Sequence, residues 1–205
     1  MRKIFIGMIL VFLNFDITLG PSKIGLIPSF VGYAYMYSGV MELSDYSDKF
    51  VKIAPIIKVM AIYTGFIYLM DLLGFSAYFT LPLGSTFSDI GIPFAFVLFG
   101  ILLGFISMIA SLYISYEIIQ GIKDIESVKM KNLNSDQLLS TWKLLAVFTV
   151  LSFALLFIVP ELALICIILA IIVSIYYLFV FNKSKNLYYE NDECYENTNQ
   201  EDIEY

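Results

Sequence analysis

Long runs of apolar residues, separated by short polar stretches, divide most of this chain. Six such runs can be drawn, and each approaches the length of about 20 residues that an α-helix needs to cross a bilayer. The pattern therefore predicts an all-α, polytopic membrane protein with a bundle of six transmembrane helices. The expected spans are residues 4–19, 24–41, 59–79, 93–116, 142–159 and 162–181.

Glycine and proline mark the turns on one side of this bundle, which we take as the outer side. Gly20 and Pro21 separate the first two runs, and so short a connection predicts a tight helical hairpin. Residues 144–181 are too long for one crossing, and the turn at Pro160 and Glu161 divides them into two spans. The third outer segment is residues 80–92.

Other patterns describe helix ends on the inner side. Isoleucines recur at helical spacing over residues 118–125, so the fourth helix is expected to continue past the membrane. Asn134 followed by Gln137 predicts a capping box that opens the next helix. Trp142 and Lys143 are typical of an anchor at the membrane interface and predict the inner end of the fifth span.

The basic residues fall almost wholly on alternate sides of the six runs. By the positive-inside rule, segments rich in Lys and Arg face the cytoplasm, so both termini are expected there. Only Lys23 lies on the outer side. The basic residues assigned to the cytoplasmic side are Arg2, Lys3, Lys49, Lys52, Lys58, Lys123, Lys129, Lys131, Lys143, Lys183 and Lys185.

The composition agrees with a membrane protein and narrows its chemistry. Apolar residues make up 60% of the chain, and the mean hydropathy is +0.83. Histidine is absent, which removes the commonest general base and the commonest metal ligand. No catalytic, metal or nucleotide motif stands out. We therefore expect a protein that is not an enzyme, holds no metal or cofactor, and contacts the lipid bilayer rather than nucleic acid.

The composition changes abruptly after residue 181. Residues 182–205 mix Glu and Asp with Asn and Tyr and carry much of the formal net charge of −6. This pattern predicts a disordered, acidic cytoplasmic tail after a membrane domain of residues 1–181. Cys166 lies in the last predicted span and Cys194 in the tail, so the two cysteines do not suit an extracellular disulfide.

Small residues recur at helical spacing in the second and fourth predicted spans. In lipid, helices associate through close backbone approach and hydrogen bonds rather than through the hydrophobic effect. We expect these faces to pack within the bundle, with a lined pathway or gate as the alternative. The residues are Gly25, Ser29, Gly32, Met36 and Gly39 in the second span, and Gly100, Gly104, Ser107, Ser111 and Ser115 in the fourth.

Two carboxylates are the most informative single residues. Asp16 and Asp71 lie within the first and third predicted spans, each about 12 residues beyond the inner end. A carboxylate at such depth costs about 2.5–3.5 kcal/mol on insertion scales, so it needs a partner. The functional hypothesis is an outward-facing cation, proton or amine site formed with Asn14 and Lys23. The alternative is a structural polar cluster of the same residues.

One stretch of the sequence resembles a known group of proteins. Residues 24–33 read Ile-Gly-Leu-Ile-Pro-Ser-Phe-Val-Gly-Tyr, and Ser-Gly-Val-Met-Glu-Leu follows at 38–43. This resembles uncharacterised six-span integral membrane proteins of Clostridia and related Firmicutes, whose second span contains Leu-Leu-Pro-Asp-x-x-Gly-Tyr. Residues 116–126 also look similar to that group. Ser29 stands where the group has Asp. The resemblance implies a bacterial membrane protein but no activity.

Two functions fit these patterns. The first is a non-enzymatic accessory, scaffold or partner-binding subunit of the bacterial cytoplasmic membrane. The second is a small transporter or solute-binding membrane subunit that uses the polar site around Asp16 and Asp71. Six spans with cytoplasmic termini also resemble the substrate-binding components of vitamin uptake transporters, although the Ala-x-x-x-Ala motif of that group's first span is absent.

Overall fold

Six helices and one β-hairpin make up the part of the protein that the structure describes. The computed structural model describes residues 1–12, 16–19, 22–25, 28–73 and 94–201, with side chains for 1–12, 28–73 and 98–190. The elements in chain order are α1 (Arg2–Phe12), β1 (Asp16–Leu19), β2 (Ser22–Gly25), α2 (Ser29–Glu42), α3 (Asp48–Leu72), α4 (Phe94–Lys129), α5 (Ser135–Leu155) and α6 (Pro160–Glu201).

Within these residues, four helices are long and apolar enough to cross a membrane. They are α3, α4 from Leu98, α5, and α6 as far as Glu190. Many of their large apolar side chains are exposed, for example Ile62 at 66% and Phe66 at 59%. Such surfaces suit lipid and would be unfavourable in water. The expectation of a helical membrane protein is therefore supported by these four helices, which correspond to the third to sixth predicted spans.

The first two helices are shorter than the spans that the sequence pattern predicts. Residues 4–19 are helical only to Phe12, and β1 then pairs antiparallel with β2. Residues 24–41 become helical only at Ser29. Pro28 occupies the N-cap of α2 in an extended conformation, and proline also disfavours helix in the residue before it. The β-branched Ile17 and Thr18 suit a strand.

The third helix begins much earlier than predicted. The sequence pattern predicts a third span over residues 59–79, but the helix that contains it, α3, starts at Asp48. The hydroxyl of Ser47 caps it by accepting a hydrogen bond from the Lys49 backbone N–H at 3.2 Å. Phe50, Ile53 and Ile57 are fully buried on one face of this first half. The amphipathic spacing of these residues explains why the polar segment is helical.

The fourth and fifth helices agree in part with their predicted ends. The continuation of α4 past residue 116 is confirmed, and Ile118, Ile122 and Ile125 are fully buried. The capping box at Asn134 is wrong. Asn134 has a left-handed backbone with φ of 63° and makes no side-chain bond to the helix backbone. Its amide instead donates to Gln137 Oε1 at 2.7 Å.

The sixth helix begins close to its predicted start but extends well beyond its predicted end. The division near Pro160 is confirmed, because α5 ends at Leu155 and Pro160 is the first residue of α6, where proline is well tolerated. The sequence pattern predicts disorder from residue 182, whereas α6 continues through this segment as far as Glu201. Phe181, Ser184 and Tyr188 form a buried stripe at helical spacing, which holds the extension against the bundle.

The six helices form a closed ring around a core at one end. Each helix packs on the next, and α6 returns to α1. The N–H of Arg2 donates to the Tyr189 hydroxyl at 3.2 Å, so the start of α1 and residue 189 of α6 lie at the same end. We call this end the polar end. It is marked by the ion pairs Lys3–Glu42, Lys49–Asp124 and Lys123–Asp136.

Candidate functional site

The two acidic residues expected to share a site lie in different kinds of structure. Asp16 is the first residue of β1, opposite Gly25 in the hairpin, so its predicted place within a membrane helix is wrong. Asp71 is half-buried in the last turn of α3. Strand β2 contacts α3, which brings the hairpin that carries Asp16 alongside the helix that carries Asp71.

The other members of the predicted polar site lie partly beyond the described structure. Asn14 lies outside the described residues. Lys23 pairs with Thr18 through the backbone of the hairpin, and its side chain, like that of Asp16, is not among those described. A shared site of Asp16, Asp71, Asn14 and Lys23 therefore stays a prediction.

The glycines on the small-residue face of α2 pack against α1. A Cβ on Gly32 would lie 2.8 Å from the carbonyl oxygen of Gly7, and one on Gly39 would lie 2.8 Å from the backbone nitrogen of Ile4. These distances are too short for any side chain, so the backbones of the two helices approach closely. Gly7, the partner of Gly32, was missed, although it stands alone as the small residue within its apolar run.

The first two residues of the predicted small-residue face, Gly25 and Ser29, do not take part in this contact between α1 and α2. Gly25 is the last residue of β2 and pairs with Asp16, so it belongs to the hairpin rather than to a helical face. Ser29 is the first residue of α2 and is half-buried. The helical face of α2 therefore consists of Gly32, Met36 and Gly39.

The glycines of α4 are not in a close helix contact within the described structure. A Cβ on Gly100 or Gly104 would meet no described atom within 4 Å. The expectation that both pack inside the bundle is therefore not met among these residues. The large side chains around them, including Leu98, Leu102 and Ile106, are more than half exposed.

Ser111 and Ser115 of α4 face the bundle and take part in hydrogen bonds between helices. Ser107 is half-buried, and Ser111 Oγ shares a hydrogen bond of 2.8 Å with the hydroxyl of Tyr33 on α2. The buried Ser115 hydroxyl accepts a bond of 2.9 Å from the indole N–H of Trp142 on α5. The indole of Trp142 therefore points into the bundle, and its role as an interfacial anchor stays a prediction.

A small cavity lies where these bonds meet. It measures about 30 Å³ and lies between α1, α2 and α4, with Phe12, Tyr33, Met36 and Ser111 among the residues that line it. A space of this size suits one water molecule near a hydroxyl group. It is too small for an organic solute, so this point of the bundle is a packing contact rather than a substrate site.

The polar end holds the clearest electrostatic cluster. Lys49 Nζ lies 3.0 Å from Asp124 Oδ1, and the Ser47 hydroxyl donates to the other carboxylate oxygen at 2.5 Å. These contacts tie the start of α3 to α4. Lys129 lies 4.0 Å from the ring centroid of Tyr188, a cation–π contact that ties α4 to α6. No sequence motif marked these pairings, because they join distant segments of the chain.

The α-amino group of Met1 lies at the same end. Burial lowers its pKa to about 6, while the nearby Glu42 carboxylate opposes this shift. Across the described ranges, no three His, Cys, Asp or Glu side chains lie close enough together to hold a metal ion. The polar end is therefore built from ion pairs and hydrogen bonds between helices.

No protein-family model, curated protein or solved structure matches this chain. The class of protein follows from its own helices. Four described helices are long and apolar enough to span a bilayer, and much of their apolar surface is exposed. These features define a helical membrane protein that contacts the lipid bilayer.

Proposed function

We propose that this protein is a multi-pass protein of the bacterial cytoplasmic membrane and acts as a non-enzymatic accessory, scaffold or partner-binding subunit. One observation carries this proposal. The membrane half of α4 presents Gly100 and Gly104 at an exposed surface, whereas Ile114, Ile118 and Ile119 on its other half are buried. Small residues four apart allow the backbone of another helix to approach closely.

Both termini are proposed to face the cytoplasm, with six segments that enter the membrane. The basic residues near the polar end support this orientation by the positive-inside rule. Helices α1 and α2 are about 16 and 21 Å long at 1.5 Å per residue, which is less than the hydrocarbon core of about 30 Å. If α1 and α2 both cross the membrane, or if both enter it and turn back, the chain returns to the side on which it began. The proposed orientation of α3 to α6 is the same in both cases.

The partner-binding proposal is tested by changing the open face of α4. Gly104→Leu is expected to leave the fold intact and to remove a defined heteromeric or homomeric complex isolated in a mild detergent. Ile106→Phe adds bulk on a different face of the same helix and is the matched control. The proposal fails if the native complex survives Gly104→Leu, or if the chain is a monomer in membranes and in detergent.

A small transporter or solute-binding subunit is the second candidate. The contact between β2 and α3 favours it, because this contact brings the segments of Asp16 and Asp71 together. A functional site predicts that Asp16→Asn and Asp71→Asn fold normally but lose solute binding or transport. If both variants instead lower thermal stability, with activity in proportion to the folded protein, the carboxylates are structural and this candidate is rejected.

A further inference from the structure

A groove between α5 and α6 changes from polar to apolar along its length. It has a volume of about 480 Å³. Gln137, Ser140 and Lys143 line its polar part, and Leu144 and Val147 line its apolar part. These residues follow α5 from its start toward its middle, at spacings that place them on one side of the helix. The groove therefore has the polarity of an amphiphilic molecule that lies parallel to α5.

The polar part of the groove lies toward the polar end of the bundle. The side-chain amide of Gln137 donates to the hydroxyl of Tyr176 on α6 at 3.2 Å and joins the two walls. The adjacent Asp136 forms an ion pair with Lys123, one of the three that mark the polar end. The change from polar to apolar thus runs in the direction from the membrane surface to the membrane interior.

Lys143 is the charged group among the residues that line this groove, and it has no counter-ion among the described side chains. None of the ion pairs formed by the described side chains includes Lys143. It is exposed and lies eight residues after Ser135, or about 12 Å along the helix. Because the predicted fifth span begins at residue 142, Lys143 is expected at the membrane interface, where its ammonium group can reach water or an anion.

We propose that this groove binds one anionic phospholipid. Its phosphate is held by Lys143 with Ser140 and Gln137 as neutral hydrogen-bond donors, and an acyl chain lies along Leu144 and Val147. The ammonium group supplies a charge-assisted hydrogen bond to the phosphate, and the apolar part excludes water from the chain. A free phosphate ion would use only the polar part of this surface.

The test uses the full chain, purified in a mild detergent and titrated with lipid in native mass spectrometry. The probes are phosphatidylglycerol and phosphatidylcholine with identical acyl chains. The protein is expected to bind the anionic lipid at least about fivefold more tightly, the factor typical of one lysine near an anionic headgroup. Lys143→Gln should abolish this preference. Lys58→Gln should keep it, because Lys58 is an exposed lysine of α3 at a similar distance from its helix start.

Two additions keep the test decisive. Val147→Trp fills the apolar part of the groove and should weaken both lipids, even if Lys143→Gln fails to fold. Inorganic phosphate at millimolar concentration should not displace the lipid. Equal affinity for the two lipids, unchanged preference in Lys143→Gln, equal loss in Lys58→Gln, or displacement by phosphate would each overturn the proposal.

Discussion

At the scale of single residues, Gly32 and Gly104 differ in what surrounds them. A side chain on Gly32 would overlap the backbone of α1, whereas one on Gly104 would meet no described atom. Gly32→Leu should therefore lower the free energy of unfolding by about 1–3 kcal/mol, because overpacking forces two backbones apart. Gly104→Leu should change it little. Thermal melting in detergent, followed by circular dichroism, measures both, and equal losses would reject this packing.

Tyr177 provides a second prediction at this scale. Its ring is fully buried against Phe12 and Phe181, and among the described atoms its hydroxyl has no hydrogen-bond partner. A buried hydroxyl without a partner costs about 1–3 kcal/mol. Tyr177→Phe removes this group and keeps the ring, so it should raise the melting temperature. A lower melting temperature would show that the hydroxyl has a partner.

At the scale of elements, the extension of α6 past residue 181 is the feature with the clearest test. Ser184 is fully buried in the stripe that packs on the bundle, while Asn186 is exposed. Ser184→Glu buries an unpaired charge and should destabilise the protein by several kcal/mol. Asn186→Glu, two residues away, should be nearly neutral. Equal melting temperatures for the two variants would mean that residues 182–190 do not pack.

The sequence pattern predicted the helices whose residues are mostly apolar from one end to the other. Residues 144–181 are almost wholly apolar, so their division near Pro160 was visible in the sequence. The start of α3 was not, because Asp48 and three lysines hid the buried stripe of Phe50, Ile53 and Ile57. The extension of α6 was missed for the same reason, since Asn182, Lys183 and Lys185 lie between the buried Phe181 and Tyr188. The average polarity of these two segments therefore did not predict a helix, whereas the helical spacing of their buried residues would have done so.

The candidate sites were harder to predict than the elements. The glycine face of α2 was visible in the sequence, but its partner Gly7 lies in another segment, and spacing within one helix does not choose between neighbours. The contact of Lys49 with Asp124 joins residues 75 apart in the chain. Such pairings depend on how the helices pack, which a single sequence does not specify.

At the scale of the whole molecule, most of the buried core lies toward the polar end, and the far halves of the long helices expose many large apolar side chains. The polar end combines the ion pairs with buried residues such as Ile4, Val40 and Ile122. The far halves of α3 and α4 carry exposed Phe66 and Phe99. This arrangement is expected if lipid covers the far halves and the polar end faces the cytoplasm.

The most direct test of this account is the labelling of single cysteines from outside intact cells. The variants Met130→Cys and Ile158→Cys would be made in a chain whose Cys166 and Cys194 are replaced. Residues 130 and 158 are 93% and 73% exposed and lie at opposite ends of α5. A membrane-impermeant maleimide should label position 158 in intact cells and position 130 only after permeabilisation. Labelling of position 130 from outside, or of both positions from one side, would contradict the account.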